Sequence, residues 1–332
     1  MNDSVNDKLK KILSDRIMVL DGAMGTMIQR HTLTEEDFRG DRFKNHLKPL
    51  KGNNDLLSII RPDIIKSIHS AYFEAGADFA TTNSFNATSI AQADYGMEAA
   101  VYDINYAAAQ CARQAADEWA SKKSGKNYFV LGALGPTNRT ASMSPDVNDP
   151  GKRLVTFETL RVAYREAASA LLDGGADLLM IETVFDSLNA KAALFAIDEL
   201  REDRGEIPIM MSGTITDASG RTLSGQTPEA FWVSIAHGDL LSVGLNCALG
   251  ASDMLPYIQR LDKIVNVMVS AHPNAGLPNE FGEYDQTPEL MVEQLRPFVE
   301  GSHLNIIGGC CGTTPEHIAA IKALADTSNP RR

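Results

Sequence analysis

Hydrophobic positions in this chain cluster in short runs separated by longer amphipathic stretches. The runs lie at Ile17–Leu20, Asp78–Thr82, Tyr128–Leu134, Leu178–Glu182, Ile207–Thr214, Ser242–Asn246, Asn266–Ser270 and Leu304–Ile307. Most are apolar throughout rather than alternating, which predicts parallel strands covered on both faces. Between them the pattern predicts helices over Pro62–Ala75, Met97–Lys122, Phe157–Leu172, Asp186–Arg204, Pro228–His237, Ser252–Asp262, Pro288–Val299 and Pro315–Ala325. The punctuation recurs. Thr227-Pro-Glu, Thr287-Pro-Glu and Thr314-Pro-Glu each open a helix, with threonine as N-cap, proline at the first helical position and glutamate at the positive end of the dipole. The joints Gly76-Ala-Asp78 and Gly175-Ala-Asp177 each end a helix and begin a strand, as glycine at a helix C-terminus allows.

Eight such βα units predict an α/β fold of the (β/α)8 TIM-barrel class, one domain over residues 16–326, preceded by a helix at 1–15 and followed by a tail or linker start at 327–332. An open doubly wound sheet is the competing arrangement, and no G-x-G-x-x-G follows the first strand to support it. Two segments exceed the repeat: a polar insertion at His31–Ile60 after the first strand, and a loop at 138–156 after the third. Both follow strands, which puts them at the barrel end that carries active sites.

The chain has 332 residues and a formal net charge of −12. That balance argues against nucleic acid or an anionic membrane as partner, since both need a basic surface. No apolar run is long enough to span a bilayer, and the N-terminus has no apolar h-region, so a cytoplasmic location is expected.

Four cysteines carry the candidate chemistry. Cys310 and Cys311 stand together in Gly308-Gly-Cys-Cys-Gly312, and Cys247 ends the run Ser242–Asn246. All three fall at strand ends, where two thiolates from one strand and one from a neighbour can meet a single zinc ion and leave its fourth position open. A disulfide between neighbours would be strained, and the paired Cys-x-x-Cys spacing of structural zinc is missing. Buried inert thiols are the alternative, and Cys111, inside a helical stretch, fits it. The other strand ends supply Asp21, Thr82, Gly135, Glu182, Thr214 and Asn274. The carboxylates Asp21 and Glu182 beside a thiolate-rich metal are suited to holding an ammonium group.

The segments Asp21–Thr26, Gly132–Thr137, Ile181–Thr183, Gly244–Cys247 and Gly308–Gly312 resemble the homocysteine S-methyltransferase family, over nearly the whole chain. Lys51–Asp55, Ser89–Gly96, Ser224–Thr227 and Pro273–Pro278 are most similar, within that family, to the homocysteine-binding module of cobalamin-dependent methionine synthases. The resemblance implies zinc on Cys247, Cys310 and Cys311, with Asn274 either a further ligand before substrate arrives or a turn residue in Pro273-Asn274-Ala-Gly276. It implies Asp21 and Glu182 at the homocysteine amino group, and the amides near Gly22 and Ala23, with Thr82, at its carboxylate. It also implies methylcobalamin as methyl donor, carried by another domain or a corrinoid protein and charged by a methyltetrahydrofolate-binding module. The cobalamin-ligating pattern Asp-x-His-x-x-Gly is missing from the chain, so the donor is expected from outside it. A small donor such as S-methylmethionine or betaine, or a non-catalytic module that binds zinc and an amino acid, are the alternatives.

Overall fold

In the computed structural model, which describes residues 4–332 other than Ser124, Ala218 and Phe281, the chain forms one parallel sheet curled into a barrel. Its eight strands among the described residues are β1 (Met18–Val19), β2 (Phe79–Thr81), β3 (Phe129–Leu134), β4 (Leu178–Val184), β5 (Ile209–Gly213), β6 (Ser242–Gly250), β7 (Met268–Asn274) and β8 (Ile306–Ile307). The ladder runs β1-β8-β7-β6-β5-β4-β3-β2, every pair parallel. All eight expected strands are present, and helices separate them as the pattern predicts.

The unbroken apolar runs have a direct cause. Met18, Phe79, Phe129, Leu131, Leu178, Met180, Met210 and Ile306 pack together in one cluster with Leu9 and Leu13 of the N-terminal helix Val5–Asp15. Their strand neighbours Val19, Ala80, Val130, Leu179, Ile209 and Ile307 pack in a second cluster with helical residues such as Ile65, Leu171 and Ile321. Both faces of each strand are therefore buried, one inside the barrel and one under the helical ring. Leu9 and Leu13, fully buried, close the barrel at its N-terminal end.

The repeated Gly-Ala-Asp joint also finds its reason. Asp78 donates its amide to Val19 O at 2.7 Å and accepts the Val19 amide on Oδ2 at 2.9 Å. Asp177 does the same with Val130, at 2.8 and 2.7 Å. The carboxylate stands in for a ladder acceptor where a strand begins. At the β1–β2 seam this matters most, because the regular ladder does not bridge it. There Asp78, paired to Arg16 at 2.8 and 2.9 Å, closes one end, and Asp21, which accepts from Thr81 N, closes the other.

The structure departs from the expected strand ends at the mouth. β4 runs on to Val184 and β6 to Gly250, each through a register shift. Thr183, Cys247 and Ala248 take positive φ values of 55°, 60° and 57°, a conformation that L residues rarely adopt. No sequence signal marks these bulges, because none of the three is glycine. In the tail, the Arg331 guanidinium reaches Asp262 Oδ1 and the carbonyls of Asp262, Val265 and Val267. No helix among the described residues is long and apolar enough to cross a membrane.

Candidate active site

The strand ends open into a cavity of about 930 Å³ lined by Asp21, Thr82, Glu182, Cys247, His272, Cys310 and Cys311, among others. The insertion at 31–60 contributes Asn54 and Asp55 to the same cavity. The 138–156 loop also lies at this end, where Ser142 and Ala141 bond to Asp186 and Asn189 at the start of the helix Ser187–Arg204. It lines no part of the cavity. Neither do Gly135, Thr214 and Asn274.

Cys247, Cys310 and Cys311 converge, with all three sulfurs within 4.8 Å of one another and Cys247 Sγ 3.9 Å from Cys311 Sγ. Three sulfurs at zinc–sulfur distance from one tetrahedral ion would lie roughly 3.8 Å apart, so the donor set fits zinc. All four cysteines are free thiols. The cluster favours one thiolate: hydrogen bonds from Cys247 and Cys310, with Tyr284 assisting, pull the Cys311 thiol down, while contacts with Cys247 and Cys311 push Cys310 up. Asn274 Oδ1 is buried with no hydrogen-bond partner among the described residues, an orphaned acceptor that a metal would satisfy. Cys111 lies elsewhere, and burial raises its thiol to about 11, as an inert core cysteine requires.

The double-cysteine loop is held by its backbone. Cys310 N donates to Pro273 O at 2.9 Å, Cys311 O accepts from Ala275 N at 2.9 Å, and Gly312 N donates to Thr26 Oγ1 at 3.1 Å. A Cβ on Gly308 would lie 2.5 Å from Leu20 Cβ, and one on Gly312 would lie 2.3 Å from Tyr284 Cβ. The glycines around the cysteines thus admit β1 on one side and the loop after β7 on the other.

The two carboxylates differ. Asp21 is buried and both its oxygens accept from Thr81, from the amide and from the hydroxyl, each at 2.7 Å. Burial raises it to about 7 despite those bonds. Glu182 has no hydrogen bond or ion pair among the described residues. Burial first, then Asp21 and Cys247, raise it to about 8. Two buried carboxyls close enough to influence each other's charge can share a cation.

Donors for a carboxylate line the same cavity. The helix Met24–Gln29 begins without a side-chain cap, and the amides of Met24, Gly25 and Thr26 in its first turn have no intrahelical acceptor. All three residues line the cavity, as do Gly22 and Ala23. The Ala23 amide itself donates to Thr313 Oγ1 at 3.1 Å. The Thr82 hydroxyl accepts from Ala133 N at 2.8 Å and meets Ser84 Oγ at 2.7 Å, so Thr82 lines the site with its hydroxyl already engaged by Ala133 and Ser84. Burial lowers His272 to about 4, and its Nε2 has no partner among the described residues.

The model of the homocysteine S-methyltransferase family matches residues 18–325. The chain belongs to that family. Among solved structures it is similar to the homocysteine methyltransferase MmuM from Escherichia coli in its metallated form, at 25% identity and a TM-score of 0.72 over 95% of this chain and 98% of that one. The oxidized form of the same protein gives 23% identity and a TM-score of 0.71 over 92% and 95%.

The sequence motifs pointed to the cysteines and to both carboxylates, but not to what holds them. Thr81, Thr183, Asn246, Tyr284 and Thr313 shape the site through hydrogen bonds that depend on the bulges and on long-range packing. Asn246 and Thr183 sit inside quoted motifs, the one signal that could have drawn attention to them.

Proposed function

We propose that the chain binds L-homocysteine, ionises its thiol on zinc and transfers a methyl group to the sulfur to give methionine. The observation that carries this reading is the convergence of three cysteine sulfurs, at the spacing of one tetrahedral ion, beside an unpaired carboxylate. Cys247, Cys310 and Cys311 would hold the metal, with Asn274 Oδ1 available before substrate binds. Zinc bound there would let a thiol ionise at neutral pH while its sulfur stays electron-rich and nucleophilic. Glu182 and Asp21 take the substrate ammonium, and Gly22 with the first-turn amides of Met24–Thr26 takes its carboxylate. Ala23 and Thr82 shape that pocket from groups already bonded within the fold. Held by both charged groups on its Cα, the amino acid can direct only its thiol toward the cysteines. A new sulfur–carbon bond then forms as the donor–methyl bond breaks, and the thiol proton leaves to solvent.

For the donor, we propose methylcobalamin presented by a separate domain or corrinoid protein, itself methylated by a methyltetrahydrofolate-binding module. Homocysteine fills a small part of a 930 Å³ cavity. Exposed Leu47, Val147, Leu223 and Leu277 all lie in segments that follow strands, and so stand at the same end of the barrel, where they offer apolar contacts to a large partner. The acidic lining, with Asp55, Glu283, Asp285 and Glu316, favours a second reading, a small cationic donor such as S-methylmethionine or betaine.

The test is metal analysis of the purified chain followed by methionine formation from homocysteine with methylcobalamin, S-methylmethionine or betaine. One zinc per chain and turnover with methylcobalamin alone is the expected result. Turnover with a small onium donor would replace the donor assignment. A chain without zinc, or one that binds homocysteine and turns over with no donor, would overturn the enzymatic reading.

A further inference from the structure

Asn246 is fully buried in the wall between the metal site and the ammonium site. Its Oδ1 accepts from Thr183 N at 3.0 Å and from Ser212 Oγ at 2.6 Å. Its Nδ2 donates to Thr183 Oγ1 at 2.8 Å and approaches Cys310 Sγ at 3.8 Å. The bond from a backbone amide fixes which end of the side chain is oxygen, so the nitrogen must face the sulfur. One side chain therefore touches three strand ends: β4 at Thr183, β5 at Ser212, and the loop after β8 at Cys310. Both residues it secures next to it in sequence or space are strained. Thr183 follows Glu182 at φ 55°, and Cys247 follows Asn246 at φ 60°. Such conformations persist where surrounding bonds over-determine them.

We propose that Asn246 is a positioning residue that fixes the distance between the thiol subsite and the ammonium subsite, and so selects homocysteine over thiols that lack a correctly spaced amino group. Its amide locks the bulge carrying Glu182 to the bulge carrying Cys247, and its N–H holds Cys310 in register with both. Neither subsite is made by Asn246. What it sets is their separation, and an amino acid bound at both ends reads that separation while a plain thiol does not.

The inference rests on the reading of the cavity as a homocysteine and zinc site. Wild-type chain is first loaded with zinc and titrated calorimetrically with homocysteine and with propanethiol. No preference for homocysteine would remove the reading of the site, and the proposal with it. Given that preference, Asn246→Ala should keep one metal per chain but lose about tenfold or more of it, mainly through homocysteine affinity. Ser212→Ala, which removes one anchor of the Asn246 oxygen and is buried away from the cavity lining, should lose about threefold in the same direction. Both variants, loaded with Co²⁺, should shift the sulfur-to-cobalt charge-transfer band, because the N–H at Cys310 is removed or turned. Unchanged homocysteine preference in a folded, metal-loaded Asn246→Ala overturns the proposal. If that variant does not fold, an unchanged preference in Ser212→Ala overturns it equally.

Discussion

Replacing Glu182 by glutamine should weaken homocysteine binding by an amount that depends on pH. The carboxyl is raised to about 8 by burial, by Asp21 and by Cys247, so at pH 7 it is roughly nine-tenths protonated in the empty site. Only the ionised form attracts the substrate ammonium. Ionising it costs about 1.4 kcal/mol at pH 7 and about 0.2 kcal/mol at pH 8.5. The charge-assisted hydrogen bond it then forms contributes about 1.5–3 kcal/mol. The net contribution is about 0.1–1.6 kcal/mol at pH 7 and about 1.3–2.8 kcal/mol at pH 8.5. Glu182→Gln should therefore lose up to roughly fifteenfold at the lower pH and roughly ten- to a hundredfold at the higher. Whatever the strength of the bond, the penalty should grow about eightfold between the two. Binding at pH 7 should also release up to roughly one more proton in wild type than in the variant. Calorimetry of zinc-loaded protein in buffers of different ionisation enthalpy reads both quantities, with propanethiol as the ligand that releases a thiol proton but offers no ammonium. Asp21→Asn is a companion: its oxygen can keep the Thr81 amide and its NH2 can donate to the Thr81 hydroxyl, so the seam survives while the charge is lost. A Glu182→Gln penalty that is equal for homocysteine and propanethiol, or flat from pH 7 to 8.5, would refute the reasoning and make the carboxyl a structural group.

Substituting alanine for Cys247, Cys310 or Cys311 should each abolish stoichiometric zinc and methyl transfer, while Cys111→Ala leaves both; metal analysis of the four variants checks this, and full zinc in all three site variants would remove the assignment. His69 is fully buried with neither ring nitrogen bonded among the described residues, and burial alone lowers it to about 3. Because its folded-state value lies below its unfolded one, protonation favours unfolding as pH falls from about 6.5 toward 3, costing about 2 kcal/mol at pH 5. His69→Met should flatten that part of the stability profile, as read by urea melts at pH 7 and 5, and an unaltered slope would count against it. Gly22→Ala should destabilise the fold by about 1–3 kcal/mol and impair homocysteine binding, since a Cβ there would lie 2.7 Å from Thr313 Oγ1 and 2.8 Å from the Tyr72 ring; an unchanged melting temperature would show that this corner of the mouth can relax.

The barrel was legible because its causes are local. Continuous apolar runs, threonine caps and Gly-Ala-Asp joints report burial on two faces, helix starts and strand starts, and each needs only a few neighbouring residues. Chain order then places every strand end at one mouth, which groups Asp21, Glu182, Cys247, Cys310 and Cys311 from the sequence alone. His69 escaped this logic: a histidine on a helix gives no sign in sequence that its ring will be buried without partners.

What the tertiary structure decided is how those side chains are aimed and charged. The bulges at Thr183 and Cys247 arise where β4, β5, β6 and the cysteine loop meet, and a residue that is not glycine gives no local sign that it will take positive φ. The same holds for the difference between the two acids. Asp21 has Thr81 as a partner and Glu182 has none among the described residues, yet both stand in similar apolar surroundings in the sequence. Their pKa values depend on desolvation and on charges brought close from distant strands, and such long-range sums are written only in the folded arrangement.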